Sequence, residues 1–271
     1  MGHLRSTIIG NFISNLFEFL SCDVIRLNYL GDWGTQFGLL QAGLEICGYT
    51  EPMIKQNPMN LLYCAYVEAN KRAESDPELA AKARDIFQSL ETGNSEIMDK
   101  WSVFRQYTIN ELHDVYQRLG VLFDEYHWES LYSAKDVGGI IDLLKSSGIM
   151  KTDKEGRQVV EVNQDSYVTV MKSDGSTLYL TRDIAAAVDR HEKYNFSKMF
   201  YIVDNAQAQH FASLFTVLSK MHFPWASSLK HVKFGRIRGM STRKGSVVFL
   251  NDILDECRDI MTLKQQESPS M

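Results

Sequence analysis

The sequence predicts an α/β protein with a doubly wound parallel sheet, interrupted by a helical and a mixed insertion. Its last third alternates helix-like and strand-like segments: helix 181–194, strand 199–203, helix 207–221 and strand 231–234. This alternation is typical of a parallel sheet with helices on its faces. The chain has 271 residues, of which 44% are hydrophobic and 23% charged, so it can bury the core of one large domain.

The chain opens with the periodicity of an amphipathic helix. Apolar residues recur at every fourth position, at Leu4, Ile8, Phe12, Leu16 and Leu20. The apolar segment 24–30 then predicts a strand, which leads into the sequence GDWGTQFG at 31–38. Gly31 and Gly34 in that sequence indicate a sharp turn of the backbone.

A mainly helical insertion is predicted at about 39–119. Within it, Asp76 followed by Pro77 indicates a helix start, with the aspartate as cap and the proline in the first turn. Gly120 marks the end of the last helix of the insertion.

A smaller mixed insertion is predicted at about 135–176. A short helix near 136–147 precedes two alternating segments, 158–162 and 167–171, which predict strands. Asp174-Gly175 then predicts a hairpin turn. At the end of the chain, the tail 264–271 is polar and contains a proline, so we expect it to be frayed.

The net charge of −5 gives no general attraction to nucleic acid, but the charge is uneven. The segment 230–244 contains six cationic residues and no acidic one, so composition permits an RNA partner without requiring it. No apolar run approaches the roughly 20 residues that span a bilayer, so no membrane association is predicted.

The four cysteines are scattered without C-x-x-C spacing, and we expect small buried thiols in a reducing compartment. They are Cys22, Cys47, Cys64 and Cys257. No metal site is predicted.

Gly2 and His3 stand at the N-terminus of the first predicted helix. Free N–H groups and the helix dipole attract phosphate at such a position, and a histidine can add a donor to a triphosphate. By itself, a dipeptide of this kind is more often a solvated terminus.

Tyr179 and Asp183 are four residues apart, so they share one face if the helix begins near Tyr179. A carboxylate beside a phenol can clamp a guanidinium, because carboxylate–guanidinium pairs are planar, charged and directional. The alternative is that Asp183 only complements the dipole of its helix.

Polar side chains follow the strand 199–203, at the strand end where open α/β sheets bind ligands. They are Asp204, Asn205, Gln207 and His210. A histidine at a helix start is also common as a cap or a surface residue, so this interpretation stays open for His210.

The loop between Gly239 and Gly245 carries Arg243 and Lys244. It lacks the spacing of a Walker A loop. Positioned cations on a loop can neutralise negative charge on a ligand, and a mobile loop can close after the ligand enters. An ordinary basic turn is the alternative.

Four segments, in this order, resemble arginine–tRNA ligases, which are class I aminoacyl-tRNA synthetases: GHLRSTIIGNF, YLGDWGTQFG, YLTRDIAAA and GMSTRKGSVVFL. The second and third are the most specific. The resemblance covers essentially the whole chain. It implies a Rossmann-like, HUP-type catalytic domain at 1–250 that contains both insertions, with 251–271 beginning a helical anticodon-binding domain.

The resemblance implies a role for each matching residue. Gly2 and His3 match the second half of the HIGH motif, which binds ATP, and His3 is the catalytic donor to its α-phosphate. Tyr179, Asp183 and Gln207 match residues that bind the substrate arginine.

Further residues match the ATP site of the same family. His210 matches a histidine near the adenosine. The basic loop matches the counterpart of the KMSKS motif, which implies ATP binding by Met240, Ser241 and Lys244 and catalysis by Arg243 and Lys244.

The implied reaction is the ATP-dependent ligation of L-arginine to tRNA(Arg) through arginyl-adenylate, with Mg²⁺ accompanying ATP. The resemblance further implies a monomer when full length, in the mitochondrial matrix or the cytoplasm. The first histidine of the HIGH motif would precede Gly2, so we expect this chain alone to be an incomplete fragment, poorly stable and inactive. Two alternatives stay open: a non-catalytic arginine- or tRNA-binding product of the family, and a different nucleotidyl transferase with a Gly-His helix start.

Overall fold

The computed structural model describes residues 2–132, 137–235 and 249–268, with side chains from residue 4 onward. These residues form two compact units. The first contains 2–26, 32–124 and 249–268, and the second contains 27–31 together with the described residues of 125–235. Each unit has apolar clusters of its own.

The first unit consists of helices and their connecting turns, and the second unit contains both helices and strands. The described α-helices are α1 (Gly2–Phe19), α2 (Thr35–Cys47), α3 (Glu51–Gln56), α4 (Pro58–Ala73), α5 (Pro77–Glu91), α6 (Ser95–Arg118), α7 (Gly138–Ser146), α8 (Tyr179–Tyr194), α9 (Ala208–Lys220) and α10 (Leu250–Glu267).

The described strands lie in the second unit. They are β1 (Leu27–Leu30), β2 (Glu125–Trp128), β3 (Met150–Thr152), β4 (Gln158–Asn163), β5 (Ser166–Met171), β6 (Met199–Asp204) and β7 (Leu229–Phe234). β1 pairs with β2 and β6 pairs with β7, both in parallel, whereas β3, β4 and β5 form an antiparallel sheet. Parallel pairs with connecting helices, beside an antiparallel segment, agree with the predicted α/β class.

Close helix packing in the first unit depends on two glycines of α2. A Cβ atom on Gly38 would overlap the carbonyl oxygen of Ala83 on α5, and one on Gly43 would overlap that of Ala65 on α4. Only hydrogen fits at these positions without movement of a neighbouring backbone. Gly38 is the last residue of the sequence GDWGTQFG. Its lack of a side chain allows α2 and α5 to pack closely.

The long segment between β1 and β2 is closed by hydrogen bonds at its base. The Arg26 amide donates to Oδ2 of Asp124 at 2.6 Å, and the Asp124 amide donates to the Arg26 carbonyl at 2.9 Å, although the two residues are 98 positions apart in the sequence. The Arg26 guanidinium also pairs with Glu18 of α1 at 2.6 Å. The following residues, Leu27 and Glu125, are the first partners in the parallel β1–β2 pair.

The core of the second unit contains one face of α8. Ile184 and the alanines at 185–187 are buried there, and their small size allows close packing. Thr181 is fully buried and donates its hydroxyl to the Val170 carbonyl of β5. These contacts fix the N-terminal turns of α8.

Two local predictions are confirmed. Oδ1 of Asp76 accepts hydrogen bonds from the amides of Glu78 and Leu79 at 3.0 and 3.1 Å, so Asp76 caps α5. Gly175 has a φ of 83° within a turn that bridges Met171 to Thr177 in antiparallel fashion.

Some element boundaries were wrong. α8 begins at Tyr179 instead of 181, because the backbone of Leu178 is extended and the helix follows at once. β1 is limited to Leu27–Leu30. β2 and β3 were missed, since they have only four and three residues and lack an apolar alternation.

The expected fraying of the tail is wrong over 264–267, because α10 continues to Glu267. Lys264, Gln265, Gln266 and Glu267 all have favourable helix propensities. Among the described residues, no helix has the length and apolar character needed to cross a bilayer.

The expected burial of the cysteines is also wrong. Cys47 is half-buried, and the other three are exposed: Cys22, Cys64 and Cys257. The reason is local, since Cys64 and Cys257 lie on outward faces of α4 and α10, and Cys22 follows the last turn of α1.

Candidate functional site

The first turns of α8 present two of the predicted substrate residues. Tyr179 is the first residue of α8 and Asp183 lies one turn later, so both are on one face of the helix, as the sequence predicted. Tyr179 is half exposed, and the Arg182 guanidinium lies 5.6 Å from the centre of its ring. This cation–π contact supports one side of the phenol.

Asp183 is joined to His210 by a short hydrogen bond. Nε2 of His210 lies 2.6 Å from Oδ2 of Asp183, and the two side chains are 25% and 21% exposed. Because a carboxylate only accepts, Nε2 is the donor. Asp183 thus has a fixed orientation, and its second oxygen can accept from another donor. His210 is therefore neither a simple cap nor a solvated surface residue.

β6 leads directly to this histidine. The strand ends at Asp204, whose carboxylate accepts from the Ala206 amide at 2.7 Å and so caps a 3-10 turn over Asn205–Gln207. Gln207 is exposed at the end of that turn, and His210 follows in the first turn of α9. Both residues follow the carboxyl end of the strand, as predicted, although Gln207 lies in the turn and not in the helix.

A buried layer of polar groups lies beside Asp183, and sequence analysis missed it. Arg190 on α8 is 4% exposed, and its guanidinium lies 4.5 Å from the centre of the Tyr29 ring. The Tyr29 hydroxyl and the Nε and Nη2 atoms of Arg190 are buried and have no hydrogen-bond partner among the described residues. One signal was available, because Arg190 follows Asp183 by seven residues and such a spacing returns to the same helix face.

The charge of Asp183 acts on both phenols of this layer. Burial, and then the Asp183 carboxylate, raise the pKa of Tyr29 well above its ordinary value. Burial raises the pKa of Tyr201 to about 12, with Asp183 adding to the rise and Arg190 opposing it. Both hydroxyls therefore remain protonated at neutral pH and can donate.

A separate ion cluster joins the start of β2 to the end of α8. Glu125 accepts from Nζ of Lys193 at 2.5 Å, from the Tyr194 hydroxyl at 2.7 Å and contacts Nε2 of His127 at 3.3 Å. Lys193, followed by Tyr194, holds the pKa of Glu125 down to about 2, and Glu125 in turn raises the pKa of Lys193 to about 12. Since these groups satisfy one another, we interpret the cluster as structural.

The side chains around Asp183 suit a planar cation. The carboxylate supplies charge and a fixed acceptor, and Tyr179 supplies an aromatic face on the same side of α8. Bidentate pairing of a carboxylate with a guanidinium uses such a geometry. Within the described ranges, no group of three or more His, Cys, Asp or Glu side chains is arranged to hold a metal ion.

The structure describes only some of the remaining predicted site residues. Gly2 is the first residue of α1 and His3 the second, so the predicted helix start is confirmed. The basic-loop residues lie outside the described residues; they are Met240, Ser241, Arg243 and Lys244. The structure thus brings Asp183 and His210 into contact, with Tyr179 one turn from Asp183.

Comparison with known proteins gives a consistent result. The whole chain, residues 1–271, matches the family described as tRNA synthetases class I (R), catalytic domain. Over 281 residues the chain is 46% identical to a Bos taurus protein named probable arginine–tRNA ligase, mitochondrial. Over 280 residues it is 44% identical to the cytoplasmic arginine–tRNA ligase of Saccharomyces cerevisiae.

A solved structure supports the same relationship. The crystal structure of arginyl-tRNA synthetase from Plasmodium falciparum is similar with a TM-score of 0.75 and 27% identity, over 98% of this chain and 45% of that one. The sequence alignments cover 99% and 98% of this chain but 48% and 46% of the two relatives. The chain therefore spans about half the length of the relatives that it matches.

Proposed function

The chain belongs to the family of class I tRNA synthetases for arginine, and the catalytic-domain model of that family matches residues 1–271. We therefore propose that it is the catalytic portion of an ATP-dependent arginine–tRNA ligase. The observation that carries the substrate assignment is the hydrogen bond of 2.6 Å from His210 to Asp183. It orients a carboxylate on the face of α8 that also bears Tyr179.

In this proposal L-arginine binds with its guanidinium against Asp183. Carboxylate–guanidinium pairs are charge-assisted and often bidentate, so an oriented carboxylate favours a planar fork over the point charge of an ammonium group. Tyr179 packs beside the side chain of the substrate. Gln207, which is exposed after β6, offers its amide to the polar end of the amino acid.

The reaction has two steps. The arginine carboxylate attacks the α-phosphorus of ATP, the bond to the bridging oxygen breaks and pyrophosphate leaves. A terminal hydroxyl of the tRNA then attacks the carbonyl carbon of arginyl-adenylate and releases AMP. Neither step needs a covalent enzyme intermediate, so catalysis rests on positioning and electrostatics.

The groups proposed for ATP lie at the start of α1, at His210 and in the basic loop. The tip of α1 attracts phosphate through its free amides, and His3 donates to the α-phosphate. Arg243 and Lys244 neutralise the departing pyrophosphate. The residues that bind ATP are then Gly2, His3, His210, Met240, Ser241 and Lys244.

The proposed partners are tRNA(Arg), L-arginine and ATP, and Mg²⁺ enters on the ATP phosphates, as is usual for this ion. We propose a monomeric protein of the mitochondrial matrix. The mitochondrial name of the Bos taurus relative supports this compartment, whereas the yeast relative is named cytoplasmic. Fractionation of cells that express a tagged protein tests the location.

Calorimetric titration of the chain with L-arginine, L-citrulline and L-lysine tests the substrate assignment. Citrulline replaces the guanidinium by a neutral urea group. We expect arginine to bind more tightly than citrulline by roughly tenfold to a hundredfold, since a hydrogen bond to a charged group contributes about 1.5–3 kcal/mol. Asp183→Asn abolishes this preference, whereas Glu192→Gln, on the exposed side of α8, retains it.

Equal affinity for arginine and citrulline, or full arginine binding by Asp183→Asn, would contradict the assignment. The reaction itself is tested by tRNA-dependent, arginine-dependent exchange of pyrophosphate into ATP. Saturable arginine binding without exchange is the result expected if the chain alone is inactive, and it equally fits a non-catalytic arginine-binding product of the family.

A further inference from the structure

The Tyr179 side chain needs a support if its ring is to meet a substrate in one fixed orientation. Tyr179 is the first residue of α8, directly after the extended Leu178, and it is half exposed. Its hydroxyl makes no hydrogen bond to another described residue. An exposed tyrosine can rotate about its side-chain bonds, and ordering such a side chain when a ligand binds lowers the affinity roughly twofold to tenfold. A contact that fixes the ring beforehand therefore strengthens binding.

Arg182 makes such a contact. Its guanidinium lies 5.6 Å from the centre of the Tyr179 ring, within the roughly 6 Å over which a cation and an aromatic face attract each other. The two residues are one turn apart on α8, and helical side chains lean towards the preceding turn, which brings the guanidinium over the ring. Arg182 is itself only 9% exposed, so packing restricts its side chain. A buried group thus holds an exposed one.

The helical turn that carries Arg182 is fixed as well. Thr181 is fully buried and donates its hydroxyl to the Val170 carbonyl of β5. Ile184 is fully buried in the core of the second unit. Because the residues on both sides of Arg182 are held in the core, the guanidinium is a rigid support for the Tyr179 ring.

This contact determines which part of a substrate can lie against the ring. Arg182 occupies one face of the Tyr179 ring, so a ligand is left with the other face and the edges. A second cation stacked there would be repelled by Arg182. Asp183, about 6 Å further along the helix axis than Tyr179, supplies negative charge instead. The guanidinium of arginine is then bound at Asp183, and its uncharged methylene groups pack on the ring.

We propose that Arg182 is a positioning residue for the arginine substrate and that it acts through the ring of Tyr179. This inference rests on the proposed function, because Tyr179 belongs to the site only if arginine binds at Asp183. Arg182 does not contact the substrate. It fixes the ring against which the aliphatic part of the substrate packs, and it acts by this contact and not by its charge at Asp183.

A double-mutant cycle in urea tests the contact without any ligand. Tyr179→Leu, Arg182→Met and the double variant are compared with the wild type, and Arg182→Gln replaces Arg182→Met if the latter does not fold. We expect the double variant to be more stable than the two single losses together predict. The expected factor in the unfolding equilibrium constant is about two to five, as for an exposed cation–π pair. Additive losses would overturn the proposal, whether or not arginine binds.

Calorimetric titration with L-arginine and L-citrulline tests the role of the contact. We expect Arg182→Met to raise both dissociation constants roughly twofold to tenfold and to leave their ratio unchanged, because the two ligands have the same methylene groups. Arg182→Lys retains a cation for the ring and should recover part of the affinity. In the Tyr179→Leu background, Arg182→Met should have no further effect. Arg84→Met, at an exposed position of α5, is the charge-matched control and should bind like the wild type.

The proposed role of Arg182 would be overturned by unchanged arginine affinity in a folded Arg182→Met, or by a full further loss in the Tyr179→Leu background. A loss confined to arginine would also overturn it, since the charge of Arg182 would then act at Asp183. If the wild type binds neither ligand, the proposed function fails and the role of Arg182 falls with it. Arginine binding that is insensitive to Arg182→Met leaves the proposed function intact, so the two failures are distinguishable.

Discussion

Nε2 of His210 lies 2.6 Å from Oδ2 of Asp183, although the two residues are 27 apart in the sequence and belong to different helices. Sequence similarity associated His210 with the adenosine of ATP and Asp183 with arginine. Their contact couples the two proposed sites through one hydrogen bond. In the proposed function, His210 therefore orients the Asp183 carboxylate that binds arginine and also lies beside ATP.

Substitution of His210 should weaken arginine binding through Asp183. In His210→Leu the carboxylate loses its fixed donor, and we expect the dissociation constant for L-arginine to rise roughly tenfold, which corresponds to about 1.4 kcal/mol. His210→Asn retains an N–H donor and should recover part of the affinity. His113→Leu, an exposed position on α6, is the control. An unchanged arginine affinity in His210→Leu would show that the contact does not orient Asp183.

Gly43→Ala should destabilise the first unit. The added methyl group would overlap the Ala65 carbonyl of α4, so one helix must move. Overpacking of this kind costs about 1–3 kcal/mol, which urea denaturation would show as a lower unfolding midpoint. Gly139→Ala on α7 meets nothing within 4 Å and should stabilise by about 0.5–1 kcal/mol. Equal effects of the two substitutions would contradict the packing argument.

The Glu125 cluster should contribute to stability only above acidic pH. The pKa of Glu125 is lowered from 4.5 to about 2 in the folded protein, chiefly by the hydrogen bond from Lys193. Its contribution is therefore complete above the unfolded value and is lost as pH falls from 4.5 towards 2.

Melting temperatures measured across that acidic range test this dependence. Glu125→Gln should show a shallower fall than the wild type, because its amide does not titrate. Glu155→Gln, an exposed position in the turn before β4, is a charge-matched control and should follow the wild type. Identical acid profiles for the wild type and Glu125→Gln would exclude a measurable contribution from this cluster.

Two substitutions of Arg190 separate the contribution of its packing to stability from the contribution of its charge. Its guanidinium is buried over the Tyr29 ring, with two nitrogens unpaired among the described residues. Arg190→Met keeps the volume and removes the buried cation, so the free energy of unfolding should stay the same or rise. Arg190→Ala also removes the packing and should lower it by about 2–4 kcal/mol. Similar losses in both variants would show that the charge itself stabilises the fold.

Sequence reasoning succeeded where the information is local. The Asp76 cap follows from a dipeptide, and the shared face of Tyr179 and Asp183 follows from helical spacing. It failed for β2, since four residues with little periodicity form a strand only because β1 lies beside them. Pairing with β1 determines that 125–128 is a strand, and the local sequence of these residues does not indicate this pairing.

The same distinction applies to the candidate site. The residues matched by family resemblance could be named from the sequence, and the contact of Asp183 with His210 adds a geometric reason for two of them. The Tyr29–Arg190 contact joins residues 161 positions apart by sequence number, so neither residue signals the other. The roles of His3 and of the basic loop at 240–244 stay predictions, as do the proposed domain boundaries.

The hydrogen bonds between Arg26 and Asp124 have an evolutionary consequence. A segment whose two ends are tied together can gain or lose whole helices without altering the register of the strands that flank it. A change in the number or length of these helices therefore leaves the pairing of Leu27 with Glu125, and with it the parallel strands of the second unit, in place.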